Sequence, residues 1–223
     1  MPPYRIDESI RQRVLRRQGR FPAHQRIDAR RAALVVVDMQ NYFVAEGHPG
    51  EIPAARAIVA AINRMAHAMR AAGGAVIWIQ TTASGALEHW GNHHRHMLSQ
   101  ERAARRLAHL AETHDSFRLY PELQPRPGDL YVRKIKYSAL IPQSSDLEAL
   151  LRGRGVESVL IAGTTTNVCC ESTARDAMML DFRVVVLSDA TAAASVEEHV
   201  ASLNNIVLFF GDVMSVDEAI GRL

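Results

Sequence analysis

Short apolar runs rich in β-branched residues alternate along the chain with longer stretches whose apolar positions recur every three or four residues. The first run is Ala33-Leu34-Val35-Val36-Val37-Asp38. An unbroken run of this kind means burial on both faces, as inside a parallel sheet. The runs Ala75–Gln80, Leu130–Lys134, Val156–Gly163, Arg183–Asp189 and Ile206–Phe210 read the same way and complete a set of six predicted strands. Between the first two, Ile52, Ala55, Ile58, Val59, Ile62, Met65 and Met69 keep helical spacing over residues 51–72, and Gly73-Gly74 stops the helix. Residues 100–112 return to helix, and Ser145-Asp146-Leu147-Glu148 reads as a capping box for the next one. Ser195 and Ser215 cap two more, each followed three residues later by Glu. Strands alternating with helices throughout predict an α/β doubly wound, mostly parallel six-stranded sheet with helices on both faces.

Length and composition narrow this picture. A chain of 223 residues suits one domain with a sizeable core. We place that domain at residues 32–223, behind a basic helical arm over residues 1–31. The arm carries Arg11, Arg13, Arg16, Arg17, Arg20, Arg26, Arg30 and Arg31 without interleaved aromatic residues, so it reads as a solvated helix or one packed on a neighbouring subunit. A net charge of +2 gives no pull toward nucleic acid or membrane. The only cysteines are adjacent, a poor arrangement for a structural disulfide, which points to a reducing, cytoplasmic setting. No apolar stretch is long enough to span a bilayer, and the N-terminal residues lack the apolar core of a signal peptide.

Residues 81–99 are the least regular part, with His89, His93, His94, His96 and Trp90. Their spacing fits no metal-ligand pattern, so neither metal nor cofactor is expected, and a long irregular segment here reads as a lid or pocket wall.

The candidate chemistry sits where strands end. After Val156–Gly163 the backbone turns through three threonines into a helical pattern from Asn167, which sets Cys169 in the first turn. Unpaired N–H groups and the positive end of the helix favour a thiolate there, and the same groups suit an oxyanion. Asp38 ends the first strand and Lys134 the third, and in an open α/β sheet the carboxyl ends share one crevice. Each has an ordinary alternative: Asp38 as a helix cap, Lys134 as a surface charge, Cys169 as a core residue. Cys170, about 100° further round the helix, points into packing. Asn41, Gln80 and Tyr137 lie beside the strand ends and could hydrogen-bond a polar substrate, while Lys136 could meet a carboxylate.

The segments VVVDMQNYF at 35–43, the Lys134 region with KYS, and AGTTTNVCCESTARDA at 162–177 resemble the isochorismatase-like cysteine hydrolases, over residues 32–215 or so. Within that family the NVC–EST stretch is most similar to the ureidoacrylate amidohydrolases, with the N-carbamoylsarcosine amidohydrolases nearby. The resemblance implies an oligomer, a dimer or tetramer whose subunits help shape the pocket. It implies Cys169 as nucleophile, Asp38 as proton acceptor and donor, and Lys134 as third member. It further implies a cis peptide between Thr164 and Thr165, with the N–H groups of Thr165 and Cys169 as oxyanion hole. The expected activity is hydrolysis of a C–N bond in a small amide, carbamoyl or ureido compound through a thioester. The cysteine argues against vinyl-ether cleavage. Gln80-Thr81-Thr82-Ala83-Ser84 lacks the Asp-x-His pattern of nicotinamidases, which argues against nicotinamide and a bound metal. An idle binding protein on the same fold, a nicotinamidase-type amidase and a thiol redox sensor stay open as alternatives. A dinucleotide site does not, for no G-x-G-x-x-G follows the first strand.

Overall fold

The computed structural model describes residues 1–223. In chain order the elements are α1 (Glu8–Gln18), β1 (Ala32–Val37), α2 (Asn41–Val44), α3 (Val59–Ala71), β2 (Ala75–Thr81), α4 (Ala86–His89), α5 (Gln100–His109), β3 (Leu130–Lys134), α6 (Leu147–Gly153), β4 (Ser158–Thr164), α7 (Glu171–Met179), β5 (Arg183–Ala192), α8 (Val196–Asn205), β6 (Asp212–Met214) and α9 (Val216–Ile220). All six strands are parallel, in the order β3-β2-β1-β4-β5-β6. The order reverses direction between β1 and β4, so a crevice opens above the carboxyl ends of those two strands.

The unalternating strands do what their composition dictates. Leu34 and Val36 of β1 enter one core with Trp78, Met65 and Met69, under α3 and α9. Ala33, Val35 and Val37 enter the other with Ile77, Ile161 and Val186, under α6, α7 and α8. Gly163 lets β4 approach β1 at the crevice: a Cβ there would lie 2.0 Å from the Val37 carbonyl oxygen.

Three local expectations are corrected. Ile206–Phe210 is a wide helical turn continuing α8, and the sixth strand is Asp212–Met214. The run keeps the helix's phase, burying Ile206 and Val207 beside Leu203 and leaving Phe209 52% exposed. Gly211 then allows the close pass over the Val184 carbonyl that brings Asp212–Met214 into register with Val185–Leu187. The helix expected over 51–72 begins as a 3-10 turn, Pro53–Ile58, before α3. At α6 no capping box forms: Ser145 Oγ accepts from Leu147 N–H and donates to Ala139 O, and Asp146 at the cap makes no side-chain bond. The box at Ser215 and Glu218 does form.

The arm lies on its own chain. Helix α1 packs against the 206–210 turn, where Arg17 donates to Leu208 O. The Asp212 carboxylate receives the N–H groups of Ala23 and His24 at 2.8 and 2.7 Å. No helix is long and apolar enough to cross a membrane.

Candidate active site

Asp38, directly after β1, turns into the left-handed region at φ 54°, which aspartate tolerates better than most residues. Its own N–H still bonds Ile79 O, as the last backbone link of β1 to β2. One step on, a side chain takes over the pairing. Gln40 Oε1 accepts from Thr81 N–H at 2.7 Å, and Gln40 Nε2 donates to Thr81 O at 3.1 Å and Phe117 O at 2.8 Å.

Lys134 ends β3, directly beside Thr81 in register. Strands lie about 4.8 Å apart, so its ammonium must cross the whole of β2 to reach β1. Thr81 is the stepping stone: its hydroxyl accepts from Lys134 Nζ at 2.7 Å and donates to Asp38 Oδ1 at 2.8 Å. The ammonium also donates to Lys136 O at 3.1 Å and to Cys169 Sγ at 3.5 Å, and stands 2.8 Å from Asp38 Oδ2. That last contact is an ion pair off the line of a good hydrogen bond, so Oδ2 keeps lone-pair capacity facing the thiol. Asp38 is 0%, Lys134 1% and Cys169 6% exposed.

Burial penalises the charges here and the pairing restores them. It would lower the Lys134 pKa, but the Asp38 charge, then Cys169, outweigh it, and the ammonium is held above its ordinary value. Burial pushes the Cys169 thiol up to about 12, with Lys134 pulling it down and Asp38 pushing it further up. At neutral pH the resting sulfur is therefore a thiol.

Cys169 stands in the wide turn Thr166–Cys170 that leads into α7. The Thr164–Thr165 peptide is cis. The Thr165 carbonyl accepts from Val168 and Cys170, while the Thr165 N–H makes no hydrogen bond within the chain. Behind the turn, fully buried His199 meets Thr166 Oγ1 through Nδ1 at 2.9 Å, and Ser202 Oγ donates to Thr166 O. Cys170 is fully buried on the far side, 3.9 Å from Ala162 O.

A wall of side chains from residues 81–118 and the Lys134 loop stands over this floor. Trp90 stacks on His93 at 3.9 Å, and Tyr137 meets both edge-on at 4.7 and 5.3 Å. The wall's base is pinned by buried Ser116, whose hydroxyl lies between His48 Nδ1 and His109 Nδ1. Of the four residues expected to meet substrate, Tyr137 packs edge-on against Trp90 and His93, and burial raises the pKa of its phenol. The donor nitrogens of the others are engaged within the chain, while Asn41 Oδ1 is buried without a partner. Asn41 Nδ2 donates to Asp115, Gln80 Nε2 to Phe117 O and Lys136 Nζ to Pro142 O. No three His, Cys, Asp or Glu side chains gather as a metal would require. A cavity of about 560 Å³ lies elsewhere, under the N-terminal segment Met1–Tyr4.

Residues 32–218 match the Isochorismatase domain model. The chain belongs to the isochorismatase family. It is 38% identical over 203 residues to a ureidoacrylate amidohydrolase of Stutzerimonas stutzeri, covering 85% of this chain and 81% of that one. Another protein of that name, from Pseudomonas syringae pv. syringae, is 37% identical over 211 residues, covering 88% and 85%. Among solved structures, a cysteine hydrolase from Pseudomonas syringae pv. phaseolicola 1448A superposes with a TM-score of 0.79 at 29% identity, covering 91% of this chain and 95% of that one. The sheet described above is thus shared with that solved structure as a fold.

Thr81 and Gln40 are not singled out by the sequence. Thr81 carried a usable signal: it stands at the end of the strand between those that deliver Asp38 and Lys134, where a small hydroxyl can bridge the two. Gln40 carried none, since its place beside Thr81 depends on a tertiary approach that spacing does not encode.

Proposed function

We propose that this protein hydrolyses a C–N bond of a small ureido or carbamoyl compound through a covalent intermediate on Cys169. That it is an amidohydrolase follows from its family and from relatives of that name that match most of both chains. The nucleophile, the intermediate and the substrate are our reading. One observation carries it: a buried ammonium lies 2.8 Å from a carboxylate and 3.5 Å from a thiol, at the ends of three strands.

The resting thiol is protonated, so activation must come at the moment of attack. Asp38 takes the Cys169 proton on its open oxygen while Lys134 holds the growing negative charge on sulfur. The thiolate adds to the carbonyl carbon, and the oxygen gains a negative charge that the N–H groups of Thr165 and Cys169 receive. The C–N bond breaks as Asp38 returns the proton to the departing nitrogen, which leaves as ammonia or an amine. A water molecule, deprotonated by Asp38, then cleaves the acyl–sulfur bond and restores the thiol. Asp38 thus moves one proton at a time, and Lys134 stays protonated throughout.

The test is rapid quenching of the enzyme with 3-ureidoacrylic acid, followed by intact-mass and peptide analysis. The expected result is an adduct on Cys169, and ammonia release abolished in Cys169→Ser. An adduct on Cys170, or ammonia release that survives Cys169→Ser, overturns the assignment.

A further inference from the structure

We propose that Arg106 is the residue that receives the carboxylate of an acidic substrate, and so selects ureido acids over neutral ureas and amides. This rests on the reading above and adds to it a specificity-determining residue. Arg106 lies in the last turn of α5, half-buried, with its guanidinium 5.9 Å from the centre of the Tyr42 ring. Tyr42 belongs to α2, four residues beyond Asp38. The guanidinium thus lies over a buried ring of the segment that follows Asp38 and is not fully open to bulk water.

Its donors are uncommitted. Every other cation near the site is engaged. Lys134 is saturated by Thr81, Lys136 O, Asp38 and Cys169. Lys136 Nζ donates to Pro142 O, and Arg133 pairs with Glu112 at 2.9 Å. Arg106 has no acidic group within 4.0 Å and makes no side-chain hydrogen bond, so all five of its N–H groups are available. A half-buried guanidinium with an empty fork matches a carboxylate in shape and charge.

Its positive charge acts on groups from three sides of the crevice: the Cys169 thiol, the Lys134 ammonium, the Tyr137 phenol and the His93 and His94 imidazoles. Burial and that charge hold His93 at about 4, and His94 is lowered as well, so both rings are neutral near pH 7. Arg95, Arg102 and Arg105 are also unpaired but stand exposed, so Arg106 is the half-buried uncommitted cation of the wall. The chemistry needs one: an acid substrate brings a negative charge toward a sulfur and an oxygen that must both become negative. A cation on the carboxylate cancels that repulsion at the reacting end.

The experiment compares ammonia release from 3-ureidoacrylic acid and from its neutral methyl ester, in wild type, Arg106→Met and Arg106→Lys. Arg106→Met should lower kcat/KM for the acid by at least about 50-fold, mostly through KM. The ester should lose far less, so that the acid-to-ester ratio falls at least about tenfold, and Arg106→Lys should recover part of it. Equal losses on both substrates would reduce Arg106 to a packing residue and overturn the proposal. Should Arg106→Met fail to fold, Arg106→Gln carries the same comparison. In the wild type, maleate should slow alkylation of Cys169 by iodoacetamide more than neutral maleamide does; equal protection would also sink the idea. Wild type that releases ammonia from neither compound defeats the ureido reading of function, while the same protection assay in Arg106→Met, where maleate should lose its advantage over maleamide, still decides Arg106.

Discussion

The floor of the crevice and the wall above it are built on opposite terms. The floor is strand ends: Asp38, Thr81, Lys134 and the Cys169 turn, held by sheet register and nearly free of exposure. The wall is short helical turns, His93–Met97 and α4 among them, with rings stacked on one another and Leu87 and Met97 open to solvent. In the floor the Thr81 hydroxyl and the Lys134 ammonium each answer to several partners at once. In the wall Arg106 answers to none. Chemistry that must not vary is placed where the backbone cannot move, and selectivity is placed where side chains can be exchanged without disturbing the sheet.

The sharpest way to break this contrast is Lys134→Met. It leaves the Asp38 carboxylate buried without its cation, so kcat should fall at least about 10³-fold and stability by about 3 kcal/mol or more. Stopped-flow turnover and urea denaturation read the two effects, and a loss confined to KM would move Lys134 from floor to wall. Next comes acid. Burial, followed by the N-terminal charge, lowers His199 to about 4 from 6.5. Between those values the unfolded chain binds a proton that the folded chain refuses. Stability contributed above pH 6.5 is therefore lost as pH falls toward 4, about 3 kcal/mol for this one group. His199→Gln should flatten the difference in urea midpoint between pH 7 and pH 4.5; an unchanged slope would place the acid sensitivity elsewhere, His93 being the alternative in the wall.

Thr81→Val removes the stepping stone but keeps the volume. We expect kcat to drop about ten- to a hundredfold with KM nearly constant, measured by ammonia release. A wild-type kcat would mean that Lys134 finds Asp38 unaided. The smallest effect belongs to Cys170→Ser, whose side chain faces away from the crevice: turnover within about twofold of wild type, with some loss of thermal stability from a hydroxyl placed in an apolar core. A dead Cys170→Ser enzyme would place the nucleophile one residue on.

Much of the floor was legible in the sequence because strand ends are. An unbroken Ala-Leu-Val-Val-Val run can only be an interior parallel strand, and the residue that follows it must emerge in the crevice. The same reasoning failed at Ile206–Phe210, where five apolar residues without a breaker fit a helix end as well as a strand. The wall was legible only as irregularity. His93 against Trp90 and Tyr137, or Arg106 near Tyr42, join residues tens of positions apart through loops whose course no periodicity records. At Asn41, Gln80 and Lys136 the sequence places each residue near a strand end but does not record that its donor nitrogen turns to Asp115, Phe117 or Pro142.

Gln40 extends the sheet past the end of β1. Where β1 leaves the sheet, the peptide group that should face Thr81 is absent, and a primary amide one side chain away supplies both its donor and its acceptor. The ladder therefore runs one rung longer than the strand, and the main chain at Asp38 is released to curl without leaving Thr81 unpaired. A carboxylate cannot stand in for this group. In Gln40→Glu one oxygen would face the Thr81 carbonyl, acceptor against acceptor, and the rung would open just beneath the hydroxyl that bridges Lys134 and Asp38.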